Sequence, residues 1–212
     1  MSRIGFAAEI LRPLAPTSIL DVGCRDGALA DHFPRVDYWG ADLLPSANGR
    51  VRIVGDIVEM ELTRTFDAIV ACDILEHVDR PSDLFDRLVG ATDRLLLVSL
   101  PNTYDLKSRI RFAIRGGLGG KYEFLEHGPN DRHRWLMNRR EILEFYRLKA
   151  AKHGLGLRPF DLTYGSSRSR TLTALSGRLV SSVLPASLCA ETVFGLFLKS
   201  AVSERGHRGV RA

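Results

Sequence analysis

Cysteine is scarce in this chain, and the three cysteines present, Cys24, Cys72 and Cys189, form neither an even disulfide framework nor a metal-ligand spacing. A reducing compartment is the simpler expectation for such a sequence. We therefore expect a cytoplasmic protein.

Segments for export or membrane insertion are also lacking. Residues 1–12 contain Arg3 and Glu9 and have no apolar signal core, so no export signal is expected. The apolar stretch 179–198 is interrupted by Pro185 and Glu191, which argues against a membrane-spanning helix.

The chain does have the length and apolar content of one sizeable domain, with 212 residues of which 45% are hydrophobic. We expect this domain over residues 1–202 and a basic tail at 203–212. The net charge of +5 permits an acidic partner or substrate without requiring one.

A short apolar run at residues 18–22 leads into a glycine-rich loop with the pattern Asp21-x-Gly23-x-x-x-Gly27. Apolar residues then recur at helical spacing, so the pattern predicts a strand, a loop and a helix. The loop has neither the G-x-G-x-x-G of dinucleotide sites nor the Gly-Lys-Ser/Thr of phosphate loops. A carboxylate at the strand end favours a ligand with positive charge or hydroxyl donors. A turn that serves only packing stays open as an alternative.

Two of the following predicted strands also deliver an acid at the carboxyl end, Asp42 after residues 37–41 and Asp56 after residues 51–54. Carboxyl ends of parallel strands meet at one edge of a sheet, so with Asp21 these residues predict a pocket for a nucleoside that carries a cation. Asp42 has the position at which an acid binds both ribose hydroxyls, and a solvated turn aspartate is the alternative.

The remaining periodicity predicts the other elements. It predicts helices over 4–14, 81–89 and from the capping box at Asn138 and Glu141 to Gly154, and strands over 66–71, 94–100 and 157–162. A mobile connection at 165–170, a helix over about 171–183 and a last strand over 192–201 would complete the sheet.

Taken in order, the glycine loop, Asp42, Gly55-Asp56, the run 66–73 and Leu75-Glu76-His77-Val78 resemble class I S-adenosylmethionine-dependent methyltransferases, in particular small single-domain enzymes that act on small molecules. The resemblance implies an α/β, Rossmann-like doubly wound seven-stranded sheet, mostly parallel with the last strand antiparallel, and S-adenosylmethionine as cofactor. The cofactor contacts that it implies fall at Asp21, Gly23, Cys24, Gly27, Asp42, Leu43, Asp56, Ile57 and Asp73. Arg25 departs from the family pattern, because many relatives have glycine there.

Methyl transfer asks little acid–base chemistry of the protein, because the sulfonium already activates the methyl group. His77 is the candidate catalytic base for a hydroxyl or amine acceptor. The alternative is that His77 and Glu76 only shape the turn.

The long segment 101–137 is expected to be a substrate-selecting insertion. Residues 101–140 hold nine Lys or Arg and four Asp or Glu, so the basic character of the chain is concentrated here. An anionic acceptor, a contact with a membrane surface and a merely solvated face are the three interpretations. The predicted substrate contacts are Asn102, His127, Arg132, His133 and Trp135. No metal site is expected, because His127 and His133 lack the spacing of a helical metal pair.

The leading functional hypothesis is methyl transfer to an oxygen or nitrogen of a small-molecule, sugar or lipid-linked acceptor. RNA methylation is an alternative that the basic segment favours, although the chain lacks an interleaved aromatic platform for stacking on bases, so nucleic acid is not the expected partner. A non-catalytic cofactor-binding protein is the third hypothesis.

Overall fold

A computed structural model describes residues 1–123, 132–164 and 183–199 of the chain. These residues form a seven-stranded sheet with the strand order β3-β2-β1-β4-β5-β7-β6. The strands are β1 Ser18–Val22, β2 Asp37–Asp42, β3 Val51–Val54, β4 Phe66–Cys72, β5 Thr92–Pro101, β6 Gly156–Thr163 and β7 Ala190–Leu198. Strands β1 to β5 pair in parallel, and β7 runs antiparallel to both β5 and β6. The predicted fold class is confirmed.

Five α-helices accompany the sheet within the described residues: α1 Arg3–Leu11, α2 Pro81–Ala91, α3 Leu106–Arg115, α4 Arg139–His153 and the short α5 Ala186–Cys189. The predicted capping box is present at α4, where the Asn138 side chain accepts from Glu141 N and the Glu141 side chain accepts from Asn138 N. Gly154 ends the helix in the left-handed conformation. None of the helices in the described ranges is long and apolar enough to span a bilayer.

The predicted helix after the glycine loop is wrong in type, since residues Ala28–His32 form a short 3₁₀ helix. Pro34 disfavours helical backbone at the residue before it, and Phe33 accordingly has a φ of −135°. The last strand begins at Ala190 and ends at Leu198, two residues earlier than predicted at its start and three at its end. The predicted connection at 165–170, most of the helix over 171–183 and the tail at 203–212 lie outside the described residues.

The sheet is buried on both faces, which is why its central strands are almost continuously apolar. On one face Phe85 of α2 and Tyr146 of α4 pack against Phe197 of β7. On the other face Leu11 of α1 packs with Ile19 and Phe194. With both faces covered, the carboxyl ends of β1 to β5 form the edge at which a ligand can bind.

Candidate functional site

A cavity of about 1040 Å³ lies at the carboxyl edge of β1 and β4. Its inner side is formed by Asp21, the glycine loop from Gly23 to Asp26, and Cys72 and Asp73 at the end of β4. Its outer side is formed by residues of the 101–137 segment, including Arg111, Arg115, the chain from Gly117 to Glu123, and His133. The cavity therefore lies between the carboxyl edge of the strands and the segment predicted to select the substrate.

Asp21 is the most deeply buried acid of the cavity, with 2% of its surface exposed. The hydroxyl of Tyr38 donates a hydrogen bond of 2.7 Å to Asp21 Oδ2. Burial raises the pKa of Asp21 to about 7, against the opposing effect of the Tyr38 hydrogen bond. A cation in the cavity would favour the ionised form of this carboxyl, so Asp21 suits a positively charged ligand.

The glycine loop turns sharply at two left-handed residues, Gly23 with a φ of 70° and Gly27 with a φ of 68°. A Cβ at Gly23 would lie 2.7 Å from Ile74 Cδ1, and one at Gly27 would lie 2.9 Å from Arg50 Cβ. The positive φ favours glycine at both positions, and at Gly27 the nearby Arg50 Cβ leaves little space for a side chain. Arg25 also has a positive φ, 54°, a backbone conformation that glycine adopts without steric cost.

The loop and β2 are joined through Asp42. Its Oδ2 accepts a hydrogen bond of 2.7 Å from Arg25 N, and its backbone carbonyl accepts one of 2.9 Å from Gly55 N. Cys24 and Gly23 both donate backbone hydrogen bonds to Ala41 O. Asp42 thus lies at the same sheet edge as Asp21, beside the cavity wall, and Leu43 after it is exposed.

Asp56 and Ile57 follow β3 and lie further along this edge. Asp56 Oδ1 accepts a hydrogen bond of 2.9 Å from Val58 N, which makes the carboxylate the cap of the turn. Ile57 is buried and belongs to the core cluster on the α2 face. Neither residue is part of the cavity wall as the structure has it, so their predicted contacts with adenine stay predictions.

Asp73 stands at the end of β4 with a left-handed backbone, φ 54°. The Ser99 hydroxyl donates 2.9 Å to Asp73 Oδ1, and Arg3 of α1 forms an ion pair with Oδ2. Two neighbours thus fix the carboxylate on the cavity wall.

Asn102 has an internal role in the structure. Its Nδ2 donates to Ala190 O at 2.8 Å and to Ser187 O at 3.0 Å, and the residue is 3% exposed. These bonds tie the end of β5 to the start of β7. The predicted substrate contact is not supported by this position, which lies outside the cavity wall.

The other predicted substrate residues lie on the chain that follows the undescribed stretch 124–131, and His127 falls within that stretch. His133 lines the cavity and is flanked by the rings of Tyr122 at 4.8 Å and His77 at 4.6 Å. Trp135 donates from Nε1 to Val78 O at 2.9 Å, and its ring is partly exposed. Arg132 presents its carbonyl to His77 Nδ1 at 3.0 Å. Of these residues, the structure places His133 in the cavity wall.

His77, the predicted base, is not among the residues of the cavity wall, and its ring lies 4.6 Å from the ring of His133, which is. It belongs to a 3₁₀ helix, Leu75–His77, directly after β4, and its neighbour Glu76 is fully buried. Residues 134 and 135 donate backbone hydrogen bonds to Glu76 O at 2.8 and 3.4 Å, which holds the two segments together.

Sequence reasoning missed three residues that the fold brings to the site. Tyr38 reaches Asp21 because β2 lies beside β1 in parallel register. Arg3 reaches Asp73 from the first turn of α1, and Tyr122 flanks His133. Of the three, only the contact of Tyr38 with Asp21 had a signal in the sequence, namely a tyrosine in the strand that follows a strand-end acid. The contacts of Arg3 and Tyr122 join segments that are distant in sequence.

The comparisons with known proteins, by sequence and by fold, all match methyltransferases. A family model described as a methyltransferase domain matches residues 3–149. The mitochondrial ubiquinone biosynthesis O-methyltransferase of Schizosaccharomyces pombe is 29% identical over 125 residues, which cover 48% of this chain and 46% of that protein. The chain thus spans about half the length of this curated relative.

Two solved structures share the fold at low identity. The small RNA methyltransferase HEN1 superposes with a TM-score of 0.63 at 16% identity, covering 93% of this chain and 25% of that chain. The magnesium protoporphyrin IX methyltransferase of Synechocystis PCC 6803, solved with bound SAH, superposes with a TM-score of 0.58 at 15% identity, covering 93% and 82%.

Proposed function

The chain belongs to the methyltransferase domain family and is an S-adenosylmethionine-dependent methyltransferase; on this basis we propose that it methylates an oxygen or nitrogen of a small-molecule, sugar or lipid-linked acceptor. The cavity carries this proposal. Its volume of about 1040 Å³ is at the upper end of small-molecule sites, which leaves room for a cofactor and a small acceptor together.

The residues at the inner side of the cavity fit the cofactor. The cofactor, when bound, supplies a methyl group that its sulfonium has already activated. Asp21 and Asp73 offer carboxylates to its cationic groups, and the glycine loop lets backbone approach it. Asp42, Asp56 and Ile57 follow the next two strands and are the proposed contacts for ribose and adenine.

The outer side of the cavity supports an anionic acceptor. Arg111, Arg115 and Lys121 contribute to the wall there, against one acid, Glu123. A carboxylate or phosphate on the acceptor would be attracted to this wall and oriented with its nucleophilic atom toward the strand edge.

Helix α3, which carries the two arginines, also exposes apolar side chains. Ile110, Phe112 and Ile114 are all exposed, and no residue of α3 is buried. Exposed apolar groups beside basic ones are typical of a segment that rests on an anionic membrane surface, which supports a lipid-linked acceptor as one form of the substrate.

Steady-state kinetics with a panel of phenols, vicinal diols, sugars and amines, each with and without an acidic group, tests the proposal. We expect turnover with at least one acceptor, and an Arg111→Ala plus Arg115→Ala variant should raise the acceptor KM while leaving cofactor affinity unchanged. The matched control is Arg109→Ala on the same helix, whose side chain bonds Tyr104 O outside the cavity wall. Equal effects of the two variants would contradict an acceptor role for the basic wall.

RNA is the second candidate acceptor, because the same basic wall would attract a polyanion. If Lys and Arg contacts bind RNA, the logarithm of the binding constant should fall linearly with the logarithm of salt concentration. Flat salt dependence together with turnover of a small acceptor would rule RNA out.

A further inference from the structure

Glu76 is a buried acid that the proposed methyl transfer leaves without a role. Its side chain is 0% exposed, and neither carboxylate oxygen accepts a hydrogen bond from another described residue. Burial and the charge of Asp73 raise the pKa of Glu76 above its ordinary value, partly offset by a backbone hydrogen bond, Arg3 and Lys121. A buried carboxyl without donors is costly, so a structure that keeps one usually supplies a positive partner.

Two imidazole nitrogens face this carboxylate. Glu76 Oε1 lies 3.9 Å from His77 Nε2 and 4.0 Å from His133 Nε2. The three side chains each offer one ligand atom within 4.8 Å of the others. The two histidines lie far apart in the sequence, and their rings contact each other edge to face. The fold therefore brings the three side chains together.

The hydrogen bond between His77 and Arg132 determines which ring nitrogen of His77 carries the hydrogen and which one, facing Glu76, has a free lone pair. The carbonyl of Arg132 can only accept, so the bond of 3.0 Å places a hydrogen on His77 Nδ1. Neutral His77 then points the lone pair of Nε2 toward the carboxylate. Metal-binding histidines commonly have this arrangement, in which the second nitrogen donates to a backbone carbonyl and orients the ring.

We propose that Glu76, His77 and His133 form a site for one divalent transition-metal ion of the Zn²⁺ or Mn²⁺ class. In a tetrahedral site, bonds of about 2.0–2.2 Å place two ligand atoms about 3.3–3.6 Å apart, so side-chain movements of less than about 1 Å each close the set. Two imidazoles and one carboxylate suit such ions, whereas Mg²⁺ and Ca²⁺ prefer sites made only of oxygen. The spacing of His127 and His133 gave no indication of this site, because its second histidine is His77.

The site deepens the proposed function, on which this part rests, because His133 also lines the cavity. Three protein ligands leave open positions for an acceptor oxygen. A hydroxyl bound there loses its proton to solvent more readily, and the resulting oxygen attacks the methyl carbon while the carbon–sulfur bond breaks with its electron pair on sulfur. The products are a methyl ether and S-adenosylhomocysteine. The acceptor class would be a molecule with a hydroxyl beside a second oxygen, such as a vicinal diol, and His77 would be a ligand instead of a base.

Calorimetric titration of the chelator-treated full chain with Zn²⁺, and visible absorption with Co²⁺, test the site directly. We expect one ion per chain, and a loss of affinity of at least about 100-fold in Glu76→Gln and in His133→Ala, with little binding of Mg²⁺. The matched control is His153→Ala, because His153 also meets a carboxylate, Asp86, but there two lysines already neutralise the charge. This control should bind Zn²⁺ as the wild type does.

Binding of S-adenosylmethionine, measured on the same variants, separates the two proposals. Glu76→Gln should bind the cofactor like the wild type and melt at no lower temperature, since it keeps the size of a buried side chain whose oxygens accept no hydrogen bond from another described residue. Wild-type protein that binds the cofactor but takes up no Zn²⁺, or a Glu76→Gln variant that keeps full Zn²⁺ affinity, would overturn the metal site. Failure of the wild type to bind the cofactor would instead overturn the proposed function.

Discussion

The Asp21→Asn substitution should remove the pH dependence of S-adenosylmethionine binding. In the ligand-free protein burial raises the pKa of Asp21 to about 7. Only about 3% of this carboxyl is then ionised at pH 5.5, against about 75% at pH 7.5. If the cationic cofactor binds only the ionised form, its affinity rises by about 25-fold over this interval, or about 1.9 kcal/mol.

The expected measurement is calorimetric titration of S-adenosylmethionine into wild type and Asp21→Asn at half-unit steps of pH. The asparagine keeps an oxygen that can accept from Tyr38, so the local hydrogen bond of the wild type can persist. Any titration of the ligand itself affects both proteins equally and cancels in their ratio. A wild-type affinity that is flat with pH, or an asparagine variant with the same slope as the wild type, would refute the role assigned to Asp21.

The same carboxyl makes stability depend on pH in a defined direction. The pKa of Asp21 is higher in the folded chain than the ordinary value of 3.8, so the folded chain keeps a proton that the unfolded chain loses. This stabilisation is fully present below about pH 4 and is lost as pH rises through about 7. Between pH 5 and pH 7.5 the loss is about 2.5 kcal/mol, and denaturant unfolding of wild type and Asp21→Asn at both pH values measures it.

Four further substitutions test the packing and the polar contacts of the fold. Gly40→Ala should lower the free energy of unfolding by about 1–3 kcal/mol, because its Cβ would lie 2.7 Å from Arg50 O. The control Gly90→Ala, in α2 with open space around it, should raise the free energy of unfolding by up to about 1 kcal/mol. Equal effects of the two substitutions in denaturant titrations would contradict this prediction. Asn102→Ala should lower the free energy of unfolding by about 2–3 kcal/mol, because it removes the side-chain donor to Ser187 O and Ala190 O. A changed acceptor KM at unchanged melting temperature would instead support the predicted contact of Asn102 with the substrate. Asp86→Ala should lower stability by about 3 kcal/mol at neutral pH, because it leaves the buried ammonium of Lys149 without its carboxylate; a thermal shift near zero would argue against this. Hydrogen bonds from Lys149, Lys152 and His153 outweigh the effect of burial and hold the pKa of Asp86 below its ordinary value, so this contribution should disappear as pH falls through the acid range.

Part of the candidate site was predictable because its signals are local. The glycine loop, the strand-end acids Asp21 and Asp42, and the capping box at Asn138 each depend on a few consecutive residues. Parallel pairing then brings the strand ends to one edge without any further information. The segment after the loop was predicted to be an α-helix from its apolar spacing, but it is a 3₁₀ helix. The prediction did not take into account that Pro34 disfavours helical backbone at the residue before it.

The sequence by itself determined the succession of most strands and helices along the chain, the family resemblance and the glycine turn, because periodicity and backbone preference act over short distances. Tertiary structure alone decided that Tyr38 donates to Asp21, that Asn102 ties β5 to β7, and that His133 faces Glu76. Contacts of this kind join residues far apart in the chain. Their geometry depends on how the packed sheet and its covering segments place whole elements, which no spacing between two residues encodes.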